Sequence, residues 1–330
     1  MKDVKKVCSN GFNIEKLERN LSSFAFISLR TALKAYFSTY RSIKDNFIRF
    51  NSLESQDESE WIYSTEYVSQ YAEAIVHFQH FMELVYKEIL RNNNITFYDA
   101  LNKLCKLFED KKIDSKYKFL TEKKNIDTLS QLNRLRNSIW HQGTFILHYK
   151  ELDVFIGKYL LPIIIQITNL PDYEKNMGKW KYKSLCTEID PIIEIAKECS
   201  KGNFDFGKAA FLKELGRSAY ENPLSSHRSF AKRITKRAKK IAESEVEDLY
   251  PWDQFAKDHC INNCPVCGVS SLVTYEDTWE DIDEDGNYES STYSWYIKCY
   301  SCSLELDYGG LKNPKEYDYN LPDYWYSYDY

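Results

Sequence analysis

Two cysteine pairs, Cys264-Pro265-Val266-Cys267-Gly268 and Cys299-Tyr300-Ser301-Cys302, have the types and spacing to bind a metal. A tight turn over each pair presents two sulfurs to one ion, and zinc prefers four tetrahedral thiolates. Gly268 supplies the backbone freedom that closes such a knuckle. The segment between the pairs reads as a hairpin, Leu272 to Thr278 facing Tyr293 to Lys298, with an Asp285-Gly286 turn. Both knuckles then meet at one structural zinc ion bound by Cys264, Cys267, Cys299 and Cys302. Four thiolates leave no open position for substrate or water. Free or redox-active cysteines are the weaker reading. His259 and Cys260 are substitute ligands of looser spacing. The acidic tip from Asp281 to Asp285 has the alternating Asp of a calcium loop, but its twelfth position is Thr292 rather than Glu and no helices flank it. Calcium is therefore not expected, and the acidic tip suits a protein contact better than phosphate.

The second constellation is Arg136-Asn137-Ser138-Ile139-Trp140-His141. On a helix turning about 100° per residue, Leu132, Leu135 and Ile139 form the core face. Asn137 and His141 then share the opposite face, flanked by Arg136 and Trp140. The plainer reading is a polar helix face with a chance histidine. Trp140 argues against that, because an indole on an outer face marks an interface.

Arg136, Asn137 and His141, preceded by Leu132-x-x-Leu135-Arg136-Asn137, resemble the hallmark of the HEPN superfamily. The segment from Phe81 to Leu90, with Glu83 and Lys87, is similar to that family's second helix. The resemblance spans about residues 14–168. It implies a metal-independent endoribonuclease that needs no cofactor for catalysis and leaves a 2′,3′-cyclic phosphate. In that reading the RNA 2′-hydroxyl is the nucleophile, His141 moves its proton or protonates the leaving oxygen, Arg136 holds the scissile phosphate, and Asn137 orients the phosphate or His141. It also implies a homodimer whose motif helices pair across a cleft, with Trp140 in the interface. A toxin or antiviral-defence effector, silenced or activated by a separate protein, fits the same family. Some relatives only bind, so the rival expectation is a non-catalytic adaptor for protein or nucleic acid. His77, His80 and His148 are read as structural, with His80 able to approach the cleft beside Glu83.

The expected fold is mainly α: an antiparallel, HEPN-like helical bundle, a helical connector and a small C-terminal β zinc ribbon. Apolar residues recur at helical spacing from Ile14 to Phe47 and again from Val68 to Ile89. A short helix follows near Tyr98 to Phe108. A charged loop from Glu109 to Asn125 leads to the motif helix, with Asp127 as its N-cap. Gly143, Gly157 and Pro162 bend or interrupt what comes next. The expected units are the bundle (1–170), the connector (171–255), the zinc ribbon (256–311) and an acidic aromatic tail (312–330). The ribbon is expected to keep a core separate from the bundle.

In the connector, Phe230, Ile234, Ala238 and Ile241 form an apolar stripe, and Arg228, Lys232, Lys236 and Lys240 a basic one. The basic stripe is either a solvated face or a track for RNA phosphates. The tyrosine-rich tail from Glu316 can cover that stripe by charge and cation–π contacts. Composition is globular, with 43% apolar and 28% charged residues and a net charge of -5. The start, Met1 to Phe12, lacks a signal-peptide core. The longest apolar run, Tyr159 to Ile167, is too short to span a bilayer. With nine cysteines, a metal site in a reducing compartment fits better than a disulfide framework. A cytoplasmic protein without a membrane partner is expected.

Overall fold

The structure, a computed structural model, describes residues 21–47, 63–92, 94–143, 145–225, 228–282 and 288–307, together with 311, 314–317, 319 and 321. Helices dominate, and a small antiparallel sheet lies at the C-terminal end. Helix α1, Leu21–Arg41, packs along α2, Thr65–Leu90. The two run antiparallel. Ser28 Oγ meets His80 Nδ1 at 2.8 Å, while Ser64 Oγ donates to Ser42 O at 2.9 Å. Ser64 also caps α2, accepting from Tyr67 N. Ile14 and Leu17 lie outside the described residues.

Helix α3, Phe97–Glu109, starts at Thr96, whose hydroxyl accepts from Asp99 N. The charged stretch that follows is not a simple loop, because Ser115–Thr121 coils into a 3₁₀ segment. Helix α4, Lys123–Gln142, begins earlier than expected, and Asp127 lies within it rather than capping it. Asn125 anchors the entry instead, donating to Phe119 O at 2.7 Å. Gly143 ends α4 at φ 64°, the left-handed conformation that closes a helix most cheaply with glycine.

Gly157 and Pro162 do not interrupt the next helix, α5, Tyr149–Thr168. Its middle, Val154–Leu160, widens into π-helical turns. Pro162 has no N–H to donate, and a wider turn absorbs that loss. A Cβ on Gly157 would lie 2.5 Å from Cys199 Sγ, so glycine lets α7, Pro191–Cys199, pack close. Between them lies the short α6, Met177–Trp180. Ile163, Ile164 and Ile167 of the apolar run are core residues. Among the described residues no single helix is long and apolar enough to cross a membrane.

Helix α8, Phe206–Glu221, is enclosed from Ala209 to Tyr220. A helix hemmed in on all sides is normally apolar, yet α8 carries Lys213, Glu214 and Arg217. Lys213 is paired with Asp153 of α5 and donates to Thr39 Oγ1 at 3.1 Å. Arg217 grips Glu214 with two nitrogens, at 2.8 and 2.6 Å. Gly216 makes room for the Phe37 ring of α1.

Helix α9, Arg228–Leu249, and α10, Ala256–Cys260, lead into the sheet. Its strands β1 (Ile261–Asn263), β2 (Ser270–Ile282), β3 (Tyr288–Cys299) and β4 (Glu305–Asp307) are antiparallel neighbours in chain order. The expected hairpin forms, with Val273 opposite Lys298 and Asp277 opposite Tyr293. The Asp285-Gly286 turn lies outside the described residues. The expectation of a separate ribbon core fails. Cys264, Leu272, Ile297 and Leu306 belong to the same continuous apolar core as α1, α2, α5 and α8. The physical reason is polar as well as apolar. Arg217 donates to Ser303 O, Glu305 N donates to Glu214 Oε1 at 2.9 Å, and Arg41 of α1 pairs with Glu305.

Candidate metal centre and motif cleft

The hairpin register brings Cys299, at the end of β3, opposite Leu272 near the start of β2. That places the second knuckle beside the first. The four sulfurs gather within 4.8 Å of one another, and all four residues are buried. Cys264 and Cys302 Sγ are 3.5 Å apart, and Cys267 and Cys299 Sγ 3.7 Å. A tetrahedron of thiolates around zinc has edges of about 3.8 Å. The set is thus positioned to bind one metal ion. His259 and Cys260 are not part of it.

The two knuckles share one backbone plan. Gly268 N donates to Cys264 O at 2.8 Å, and Ser303 N donates to Cys299 O at 3.0 Å. Cys264 N donates to Val269 O, as Cys299 N does to Leu304 O. The residue after the second cysteine is left-handed in both, Gly268 at φ 72° and Ser303 at φ 57°. Glycine takes that conformation freely, whereas serine is strained in it. Ser303 is held there by Arg217, which donates to its carbonyl, and by its own hydroxyl, which donates to Glu221. Gly268 has a second reason: a Cβ would lie 2.6 Å from Cys186 Sγ. Hydrogen bonding from Cys264 holds the Cys267 thiol below its usual range, while burial raises Cys264.

The motif helix faces a different site. Gln79, Glu83 and Lys87 on α2 and Asn133, Arg136 and Asn137 on α4 line a cleft of about 470 Å³, with Thr96 and Tyr98 at the start of α3. Arg136 Nη1 donates to Asn137 Oδ1 at 2.9 Å, and its Nε is buried with no partner among the described residues. On the facing wall, Gln79 Nε2 and Lys87 Nζ donate to the two Glu83 oxygens, at 2.9 and 2.6 Å. Partial burial pushes the Glu83 carboxyl up. The bonds and charge of Lys87, with the Gln79 bond, outweigh it and hold the group below its usual range. Desolvation holds His80 below the ordinary imidazole range, against the pull of Glu83. The cleft offers two cations and one carboxylate, so one positive charge is left to meet an anion.

Asn137 lines the cleft, whereas His141, one turn further along α4, is exposed and is not among the lining residues. Trp140 is 67% exposed, with the Arg136 guanidinium 6.0 Å from its ring centre. The spacing of Gln79, Glu83 and Lys87, four apart, was the signal for the facing wall. His77 has a buried Nδ1 with no hydrogen-bond partner among the described residues, and His148 lies parallel to the Tyr63 ring.

The chain matches no family model, no curated protein and no solved structure.

Lys232, Lys236 and Lys240 are exposed along α9, as are Arg233, Arg237 and Lys239; the Arg228 and Phe230 side chains lie outside the described residues. The buried stripe differs from the expected one. It runs through Ala238, Ala242 and Val246, and Ile241 is exposed. Small residues let α9 lie close on β2, which sets the stripe a few positions away from the larger side chains. The described tail residues do not cover α9. Tyr317 is buried on α8, its ring 5.5 Å from that of Phe211 and its carbonyl accepting from Lys208 Nζ at 2.6 Å.

Proposed function

We propose that this chain is a metal-independent endoribonuclease of the HEPN type, active as a homodimer and stabilised by one structural zinc ion. The observation that carries the reading is the Arg136–Asn137 pair. It opens on a cleft with spare positive charge, while His141 and the indole of Trp140 stay exposed at the end of the same helix. Arg136 and Lys87 hold the scissile phosphate and stabilise its developing charge. His141 transfers the proton between the 2′-hydroxyl and the leaving oxygen. Pairing two motif helices covers Trp140 and makes the site composite, which accounts for a histidine outside the cleft of its own chain. The bundle is then HEPN-like, and Arg228, Lys232, Lys236 and Lys240 guide RNA. Zinc fits the four-thiolate set because thiolates are soft and the site is closed. The setting is a reducing cytoplasm. A toxin or antiviral-defence role, under an inhibiting or activating protein, rests on family analogy.

Purified protein incubated with total RNA in EDTA should leave 2′,3′-cyclic phosphate ends. Arg136→Ala and His141→Ala should each lower the rate by about 10²–10⁴, with the far-UV helix signal unchanged. Trp140→Glu should yield monomers that do not cleave. Wild-type rates in either alanine variant, or a wild-type monomer at micromolar concentration, would overturn the proposal. The placement of His141 outside the cleft also favours one rival, a non-catalytic RNA-binding adaptor. Binding without cleavage would select it.

A further inference from the structure

A second group of metal-binding types lies where α9 and α10 meet the ribbon. Donor atoms of His259, Cys260 and Glu276 lie within 4.8 Å of one another. Cys260 is fully buried at the end of α10, in a small core with Ala242, Val246, Ala256 and Val273. It is a free cysteine, and its Sγ makes no hydrogen bond to a described residue. Glu276 sits at a bulge in the hairpin. Tyr275 pairs with Tyr296 and Glu276 with Ser294, so Trp295 has no partner. Such bulges twist a strand and re-aim its side chains. The backbone N–H of Glu276 is fixed by donating to Tyr250 Oη at 2.9 Å, in the turn that joins α9 to α10.

A fourth residue orients the set. Asp253 Oδ1 accepts from Phe255 N at 2.8 Å, and its Oδ2 lies 3.3 Å from His259 Nε2. Histidines that bind metals commonly donate their other ring nitrogen to a carboxylate in this way. The nearest lysine in sequence, Lys257, is paired with Glu247 instead. No described cation pairs with Glu276. A thiol, an imidazole and two carboxylates therefore converge at this corner.

We infer that His259, Cys260 and Glu276 form a second metal site, distinct from the four-cysteine centre, that takes a borderline divalent cation such as zinc, with Asp253 orienting the imidazole. One sulfur, one nitrogen and one oxygen select zinc or cobalt over magnesium or calcium, which prefer all-oxygen sets. Three protein ligands leave one position for water, so this ion exchanges more readily than the one held by four thiolates. Half of the His259 side chain faces solvent, at 48% exposure, which gives the ion an entry path. Bound there, the ion ties α10 to β2 and with it the basic helix α9, which packs on the same strand.

The test uses full-length protein titrated with cobalt(II), followed by absorption of the thiolate–cobalt bands and by metal analysis. Wild type should take up two ions per chain, the second more weakly. His259→Ala and Cys260→Ser should each lose one equivalent and keep the four-thiolate bands unchanged. His259→Ala alters an exposed residue, so its loss does not depend on the folding of a core variant. Saturation of wild type at one ion, or equal uptake by wild type and His259→Ala, would overturn the site. Loss of the four-thiolate bands in Cys264→Ser, with the weaker ion retained, separates the two centres.

Discussion

Lys213 and Asp153 have no exposed side-chain surface, yet both carry charge-bearing groups. Burial pulls the Lys213 ammonium below its usual range and pushes the Asp153 carboxyl above its own, each shift opposed by the partner. Lys213 Nζ sits 4.0 Å from the Tyr149 ring centre, and Tyr36 Oη donates to Asp153 Oδ1 at 2.9 Å. A buried pair of this kind contributes little net stability, but breaking it strands a charge. Asp153→Asn should therefore lose ~3–5 kcal/mol of unfolding free energy. Lys213→Met with Asp153→Leu should cost less than either single change, as urea unfolding of the three variants will read. Equal additivity would mean the pair is not coupled. Nothing in the spacing of Lys213 announces this partner, which comes from a helix far away in the chain. Ser303 is the same kind of case. Glycine at position 268 made its knuckle legible, whereas the serine at 303 hides a left-handed turn that only Arg217 and Glu221 explain.

At the scale of elements, α9 shows where periodicity informs and where it misleads. Steps of three and four correctly marked an amphipathic helix with a basic face. The buried edge, however, was assigned to the larger side chains, and the strand beneath selected Ala238, Ala242 and Val246. The lysines of that face are exposed, and the proposed function would use them as a track for RNA phosphates. Binding through phosphates releases counterions, with a log–log salt slope of about -0.7 per contact on single strands. Lys232→Glu with Lys236→Glu should weaken RNA binding and flatten that slope without moving the cleavage position. An unchanged slope, measured by anisotropy over a salt series, would leave α9 a solvated face. The tail is an opposite case. Its aromatic content foretold docking, but charge complementarity pointed to α9, and Tyr317 instead fills a space on α8 against Phe211.

For the whole molecule, the decisive fact is that one core runs from α1 to the ribbon. Metal binding in such a protein is folding free energy for more than the knuckles. Removing the ion with a strong chelator, or replacing Cys264 or Cys302 by Ser, should lower the melting temperature of the helical signal itself. Calorimetry should give one transition that shifts as a unit. Two transitions, with the helical one unmoved, would show that the ribbon melts alone. The links that carry this coupling are Arg217 to Ser303, Glu214 to Glu305 and Arg41 to Glu305.

The residues alone determined what is local. Paired cysteines with a tight turn, apolar steps along α1 and α2, and the alternating hairpin are patterns in which neighbours in sequence are neighbours in space. The four-cysteine set and the mainly helical class were legible for that reason. So was the presence of Arg136 and Asn137 on one helix. Tertiary structure alone decided which groups from distant segments meet. It set Glu83 and Lys87 across from Arg136, left His141 outside that cleft, buried Lys213 against Asp153, and fused the ribbon to the bundle. It also gathered Asp253, His259, Cys260 and Glu276 at one corner. A helical period gives the direction of a side chain from its own axis. The packing angle and close approach of the next element, set by small residues such as Gly157 and Gly216 and by buried polar links, decide what that side chain faces.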